Sequence, residues 1–420
     1  MTNRSEAAQA VLRANDRGGY TVPTDRLYPF QWNWDSAFVA MGWGLFDEAR
    51  AWREVERLLE GQWENGLVPQ IVFHAPSDDY FPGPEVWGTR HDPPTSGITQ
   101  PPVLATAVRR LLAITTDSAA AEAAAAAIYP KLVASHRWWA EARDPQGTGL
   151  VATLHPWETG MDNSPAWDAA LDRVPTETTS PIRRRDTAHV DPAFRPRAID
   201  YQRFIHLVDL FRAEGWDAAR LLAASPFRVA DIGTNAILLR AERDLRLLAA
   251  RFGSAPERDA IAARITRAEA AIESLWQEGP GLYGSRDLIG GAAIPAATAA
   301  GFLPLFGGLH GRAARLAGTL AAWLARVRYA VPSTDPAHPL FESQRYWRGP
   351  VWAVVNWMIA EGFASAGQAE TASRIRADTR TLIGQAGFSE YFDPLTGQGI
   401  GGGSFAWTAA IDLLLTEPVP

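Results

Sequence analysis

The sequence predicts an all-α chain wound as an α/α toroid, two concentric rings of helices with long active-site loops at one end. Three observations carry that expectation. Apolar residues recur at helical spacing in roughly a dozen segments, with no convincing run of strand-like alternation. The segments come as hairpins, and long irregular stretches tend to follow alternate helices. No internal repeat at about 34 or 40 residues is visible, which argues against a solenoid. No stretch reads as a linker, so residues 1–420 are expected to form one domain.

Residues 5–15 read as a first helix, ending at the turn Asn15-Asp16-Arg17-Gly18-Gly19. Tyr28 to Trp34 is too dense in aromatics and too irregular for an ordinary element, and Asp35-Ser36 then starts an apolar helical run. Asp47 caps a helix with Trp52, Val55, Leu58, Leu59 and Trp63 on one face. Residues 64–100 form a long loop rich in Pro, Gly and aromatics, a length that marks function or disorder. Pro101 and Pro102 open a helix over 103–114, as prolines do at a first turn. An Ala-rich helix spans 117–142, and a second long irregular stretch spans 165–196. Helices resume at 199–213, 229–252, 255–277, 309–328, 349–365, 368–386 and 404–415, with Gly253 and Gly279 where C-caps belong.

Composition narrows the function. The apolar share of 47% supports a large core, and 21% charged residues is not the signature of disorder. A net charge of −7 argues against a nucleic-acid partner, which needs a basic face. With no cysteine there are no disulfides, thiol nucleophiles or cysteine metal sites. The first residues lack a signal pattern, and no run reaches the roughly 18 apolar residues of a membrane span, so a cytoplasmic protein is expected. Of 17 tryptophans, Trp32, Trp34, Trp87, Trp157, Trp347 and Trp352 lie in Gly- and Pro-rich, non-periodic segments. Indoles so placed fit a carbohydrate cleft, where ring faces stack on sugar C–H surfaces. Trp32 and Trp34 flank Asp35, which reads either as an N-cap or as an acceptor for sugar hydroxyls.

The other motifs carry less. Gly399 to Ser404 (G-I-G-G-G-S) lacks the spacing and the βαβ setting of a dinucleotide loop and reads as a turn under a cleft. His155, His189, His206 and His338 form no metal-spaced set, so no metal and no cofactor are expected. Arg183-Arg184-Arg185 reads as a solvated charge run, whereas Arg195 and Arg197, at the end of a long loop, are better placed as a carboxylate clamp. Carboxylates remain. Cleavage of a glycosidic bond needs two, one protonated near neutral pH and one ionised. Asp162, behind Trp157 and Met161 in H-P-W-E-T-G-M-D-N-S, suits the acid. Glu390, among Phe388, Tyr391 and Phe392, suits the base, with Glu158, Asp35 and Glu342 as competitors.

Taken in order, Y-P-F-Q-W-N-W-D-S-A-F, E-T-G-M-D-N-S, R-Y-W-R-G-P-V-W and S-E-Y-F-D-P resemble glycoside hydrolase family 63. That family includes processing α-glucosidase and is related to trehalases. By length and loop wording the resemblance is to its small bacterial branch, the mannosylglycerate and glucosylglycerate hydrolases, over about residues 14–412. It implies an (α/α)6 barrel and an inverting, metal-free mechanism, with Asp162 as general acid and Glu390 as general base. Inversion implies a carboxyl gap of roughly 6.5–9.5 Å, wide enough for a water. Carried over by motif position, Trp32, Asp35, Trp157, Gly160, Tyr346, Trp347 and Trp352 would line the sugar subsite, with Trp34 beside them. Tyr28, Tyr80, Gln100 and Arg195 would hold a glycerate. The expected partner is therefore a small glycoside, with oligomerisation left open. The rival readings are an α-glucosidase or trehalase of a neutral disaccharide, a sugar epimerase or isomerase on the same fold, and a non-catalytic sugar-binding protein.

Overall fold

Helices alternate between an outer and an inner ring along the chain. The structure, a computed structural model, describes residues 4–417 except Arg26, His189 and the side chain of Ala188. The long helices are α1 (Arg4–Asn15), α2 (Asn33–Trp43), α3 (Glu48–Glu60), α4 (Leu104–Ile114), α5 (Ser118–Trp138) and α6 (Ala198–Ala213). They continue as α7 (Ile232–Phe252), α8 (Ala255–Glu273), α9 (Ala313–Leu324), α10 (Ala353–Ser365), α11 (Ala369–Ala386) and α12 (Ala406–Leu414). α2 packs on α4, α4 on α7, α7 on the 3-10 segment Ala299–Leu305, that segment on α10, α10 on α12, and α12 back on α2. This closed inner ring is wrapped by α1, α3, α5, α8, α9 and α11, with α9 reaching it through Trp323 on Phe302. The fold is an (α/α)6 barrel, and α6 is an addition at one end.

The two rings differ in sequence for a physical reason. The inner helices α2 and α12 are covered on all faces, with every residue buried, whereas the inner α7 extends a charged, partly exposed C-terminal half. Outer helices are one-sided: α3 buries Ala51, Trp52, Val55, Leu58 and Leu59 while Arg53, Glu56 and Glu60 face out. Each such aliphatic side chain contributes about 1.5–3 kcal/mol of burial. Side-chain caps start helices of both rings: on the inner α7, Asp231 accepts from the Gly233 and Thr234 N–H groups. The side chains of Asp47 and Asp117 accept from the N–H groups of Arg50 and Ala120, and Ser254 and Glu257 form a capping box.

Several boundaries move. Helix α2 starts at Asn33, not at Asp35, and has no side-chain cap. Its first N–H groups instead meet the Gln70 carbonyl (2.9 Å from Asn33) and the Gln100 side chain (3.5 Å from Trp34). That leaves the Asp35 carboxyl free to face elsewhere. Trp63 lies beyond α3 and donates to Thr95 at 3.0 Å. Gly253 does cap α7, but α8 ends at Glu273, and Gly279 lies between the paired strands 276–277 and 282–283. The sixth inner element, Ala299–Leu305, carries Gly301 and Pro304, which read as breakers and hid it. No helix among the described residues is long and apolar enough to cross a membrane.

A second apolar cluster lies apart from the barrel core. Phe30, Trp32, Phe73, Phe81, Trp87, Trp157 and Phe204 build it from the segment before α2, the loop 64–100, the loop after α5 and helix α6. The long loop is therefore packed structure. Its residues 71–72 pair with 31–32, and Pro84–Trp87 forms one helical turn against α6.

Candidate active site

The connections at this end of the barrel enclose a cavity of about 790 Å³, counting its open mouth. Asp162 reaches it from the loop after α5. There the 3-10 turn Pro156–Thr159 ends at Gly160 with φ +68°, and a Cβ on Gly160 would stand 2.8 Å from the Trp34 ring. Glycine is thus required twice over in E-T-G-M-D, by the backbone and by the indole. Apart from its own backbone N–H, no described group hydrogen-bonds the Asp162 carboxyl. Burial pushes its pKa up to about 7; Arg195 pulls it back and the charge of Glu390 adds to the rise.

Glu390 has the opposite surroundings. It precedes the strand Tyr391–Phe392, which pairs with Gly399–Ile400. The chain then turns at Gly401, φ +80°, and folds under the carboxylate so that Gly402 N–H donates to Oε2 at 3.1 Å. A Cβ on Gly401 would lie 2.2 Å from Oε2, so the glycine run is a cradle for this carboxylate. Tyr28 donates to Oε1 at 3.0 Å, and Arg195 Nη1 stands 3.8 Å from the same oxygen. Burial still raises Glu390 above the ordinary carboxylate range, against the pull of Arg195, Gly402, Tyr28 and Tyr346. The two carboxyls share one cavity with no hydrogen bond between them. One holds its proton near neutrality while the other is equipped with donors, which is the pairing acid–base cleavage of an acetal needs.

The mannosylglycerate hydrolase MGH1-like glycoside hydrolase domain matches residues 28–408. The chain belongs to this branch of glycoside hydrolase family 63. It is a glycoside hydrolase. A mannosylglycerate hydrolase of Thermus thermophilus is 52% identical over 98% of this chain and 100% of its own length. A glucosylglycerate hydrolase of Mycolicibacterium hassiacum is 35% identical over 97% and 96%. A crystal structure of the family 63 mannosylglycerate hydrolase from Thermus thermophilus with Tris and D-glycerate superimposes at a TM-score of 0.96, with 51% identity over 99% and 100% of the two chains.

The family 63 cavity gathers Tyr28, Trp32, Trp34, Asp35, Tyr80, Gln100, Trp157, Gly160, Asp162, Arg195, Tyr346 and Glu390. Trp347 and Trp352 are not in its wall. They stack face to face at 3.7 Å between ring centroids, and Trp352 lies behind Tyr346 and Tyr391. Among the competing carboxylates, Glu158 is fully buried and committed to Arg143 and the Leu154 N–H. Glu342 is half exposed and paired with Arg345 and Arg348. Asp35 does face the cavity. Burial first, then the charges of Glu390, Asp162 and Glu54, hold its pKa well above the usual range.

The arginines divide as well. Arg195 is buried against the cavity, stands 4.1 Å over the Tyr346 ring and donates to Tyr28 at 3.0 Å; its Nη1 has no hydrogen-bond partner among the described residues. Arg197 turns away to Asp200. Arg184, expected to be solvated, grips Asp186 and stands over the Tyr201 ring. His155, His206 and His338 each meet backbone groups, and His189 lies outside the described residues. The sequence did not single out Gln70, Asp186, Tyr201 or Trp407, which also line the cavity. Gln70 carries a buried, unpartnered Oε1. Its place in the loop 64–100 was the one available signal.

Proposed function

We propose that this enzyme hydrolyses a 2-O-α-glycosyl glycerate, mannosyl or glucosyl, with inversion at the anomeric carbon. One observation carries the aglycone half of that reading. A guanidinium buried in the cavity leaves Nη1 without a hydrogen-bond partner among the described residues, beside the carboxyl pair, a donor suited to the carboxylate of an anionic aglycone. The names of the relatives point to the same substrate class. Trp32, Trp34, Asp35, Trp157, Gly160 and Tyr346 surround the sugar in this reading, and Tyr28, Tyr80, Gln100 and Arg195 hold the glycerate. Trp347 and Trp352 support that wall from behind.

In the chemical step Glu390 takes a proton from water. The water oxygen bonds to the anomeric carbon from the face opposite the leaving group. Asp162 gives its proton to the glycosidic oxygen as that C–O bond breaks, and glycerate leaves as the alcohol. The test is hydrolysis of mannosylglycerate, glucosylglycerate, trehalose, kojibiose and glucosylglycerol, followed by NMR. The expected result is turnover of the glycerates with the β-anomer appearing first. Turnover of the neutral glycosides instead would overturn the anion-binding half, and a first-formed α-anomer would overturn inversion.

A further inference from the structure

Arg195 is held between two carboxylates. On one side Nε donates to Asp186 Oδ2 at 3.2 Å. On the other, Nη1 stops 3.8 Å from Glu390 Oε1, beyond hydrogen-bond reach. Asp186 is itself gripped. Arg184 donates to both its oxygens at 3.0 and 2.6 Å, donates to the Pro196 carbonyl at 2.8 Å, and stands 4.6 Å over the Tyr201 ring. Burial alone would raise the Asp186 carboxyl, but Arg184 and Arg195 outweigh it and hold it ionised. A continuous hold therefore runs from the cavity wall through Arg184 and Asp186 to the guanidinium.

Without that hold the guanidinium has a nearer destination than the substrate. Closing from 3.8 Å onto Glu390 would complete a charge-assisted hydrogen bond with the base. The base would become less basic, and the donors meant for the substrate would be spent on it. We propose that Asp186 is a positioning residue. It holds Arg195 off Glu390, leaving the base free to take a proton and Nη1 free for a substrate carboxylate. The second clause rests on the glycerate reading above; the first does not.

The groups facing Glu390 are Tyr28, Tyr346, Tyr391, Arg195 and the Gly402 N–H, with Asp35 and Asp162 across the cavity. Asp186→Asn keeps the shape of the side chain and removes its charge. An opposite charge drawn into contact lowers a carboxylate's pKa, so the acid limb of kcat/KM moves down by about one unit. Loss of the aligned fork raises KM for the glycerate glycoside about tenfold. Simple removal of a negative charge beside an anion site would lower KM instead, so the sign of the KM change separates the two effects. Asp186→Glu, which keeps the carboxylate, is expected to bring both readouts back toward wild type.

A thermal melt matching wild type certifies that Asp186→Asn is folded. In that folded variant, an unmoved acid limb or a lowered KM overturns the proposal. If wild type turns over only neutral glycosides, the glycerate reading fails by itself. On the neutral substrate an unmoved acid limb in Asp186→Asn still overturns the claim that Asp186 guards the base, and recovery of the limb in Asp186→Glu supports it.

Discussion

Asp162 and Glu390 face the same cavity with opposite kinds of support. The Asp162 carboxyl stands at the end of a loop and is offered no donor but its own N–H. Glu390 is cradled by a backbone N–H, two tyrosine hydroxyls and an arginine. Both are lifted by burial and both feel Arg195, but only Glu390 also has hydrogen-bond donors from elsewhere in the chain. A carboxyl that must keep its proton is left without donors; one that must lose it is surrounded by them. Asp162 is consequently held by its loop rather than by its carboxyl. Arg348 donates to the neighbouring Asn163 carbonyl at 3.3 Å and grips Asp168 with bonds of 2.9 and 2.7 Å.

The largest effects break this comparison outright. Asp162→Asn and Glu390→Gln are each expected to lower kcat by about 10³-fold or more. The two are then told apart by the leaving group. A glycosyl fluoride needs no proton from the acid, so Asp162→Asn regains most of its rate on that substrate and Glu390→Gln does not. Equal rescue of both would exchange or dissolve the assigned roles. Next in size is Gly160→Ala. The new Cβ meets Trp34 at 2.8 Å on a backbone of φ +68°, so the acid's loop must shift. A displacement of about 1 Å costs about 10²-fold in rate. Steady-state kinetics alongside a thermal melt reads it, and an active variant would show that the loop gives way freely.

What the sequence disclosed follows the same division. The toroid was legible because the helices come as hairpins with long loops after alternate ones, although the inner element Ala299–Leu305 was hidden by Gly301 and Pro304. Asp162 and Glu390 were legible as cavity residues because each stands in an aromatic, glycine-rich string. Facing was not. Tyr346 and Trp347 are adjacent, yet Tyr346 lines the cavity, while Trp347, at φ +58°, is turned behind it against Trp352. Nothing in R-Y-W-R-G-P shows that rotation, nor that Arg348 reaches the acid's loop from far along the chain. Contacts between distant loops depend on how the rings close. For the same reason Asp186 was invisible as the keeper of Arg195, and the three arginines before it read as a charged surface.

Arg348→Lys sharpens the acid side. It keeps the charge but loses the fork that joins Asn163 and Asp168. The expected loss is about tenfold in kcat with KM little changed, since the loop is loosened and no substrate contact is removed. A rise in KM alone would mean that Arg348 serves binding rather than the placement of Asp162.

Tyr28→Phe sharpens the base side, and its sign follows from the pKa argument. The Tyr28 hydroxyl donates to Glu390 and so stabilises the ionised form. Removing it leaves burial less opposed, and the Glu390 pKa rises further. The base is then ionised only at higher pH, so the acid limb of kcat/KM moves up by less than about one unit. The alkaline limb belongs to the proton on Asp162, lost near pH 7, and should hold its place because Tyr28 does not touch that carboxyl. The plateau falls about fivefold, the worth of one hydrogen bond of about 1 kcal/mol. The profile therefore narrows from the acid side only. If both limbs move together, the two carboxyls titrate as one coupled pair, and the contrast between an unsupported acid and a supported base gives way to a shared proton.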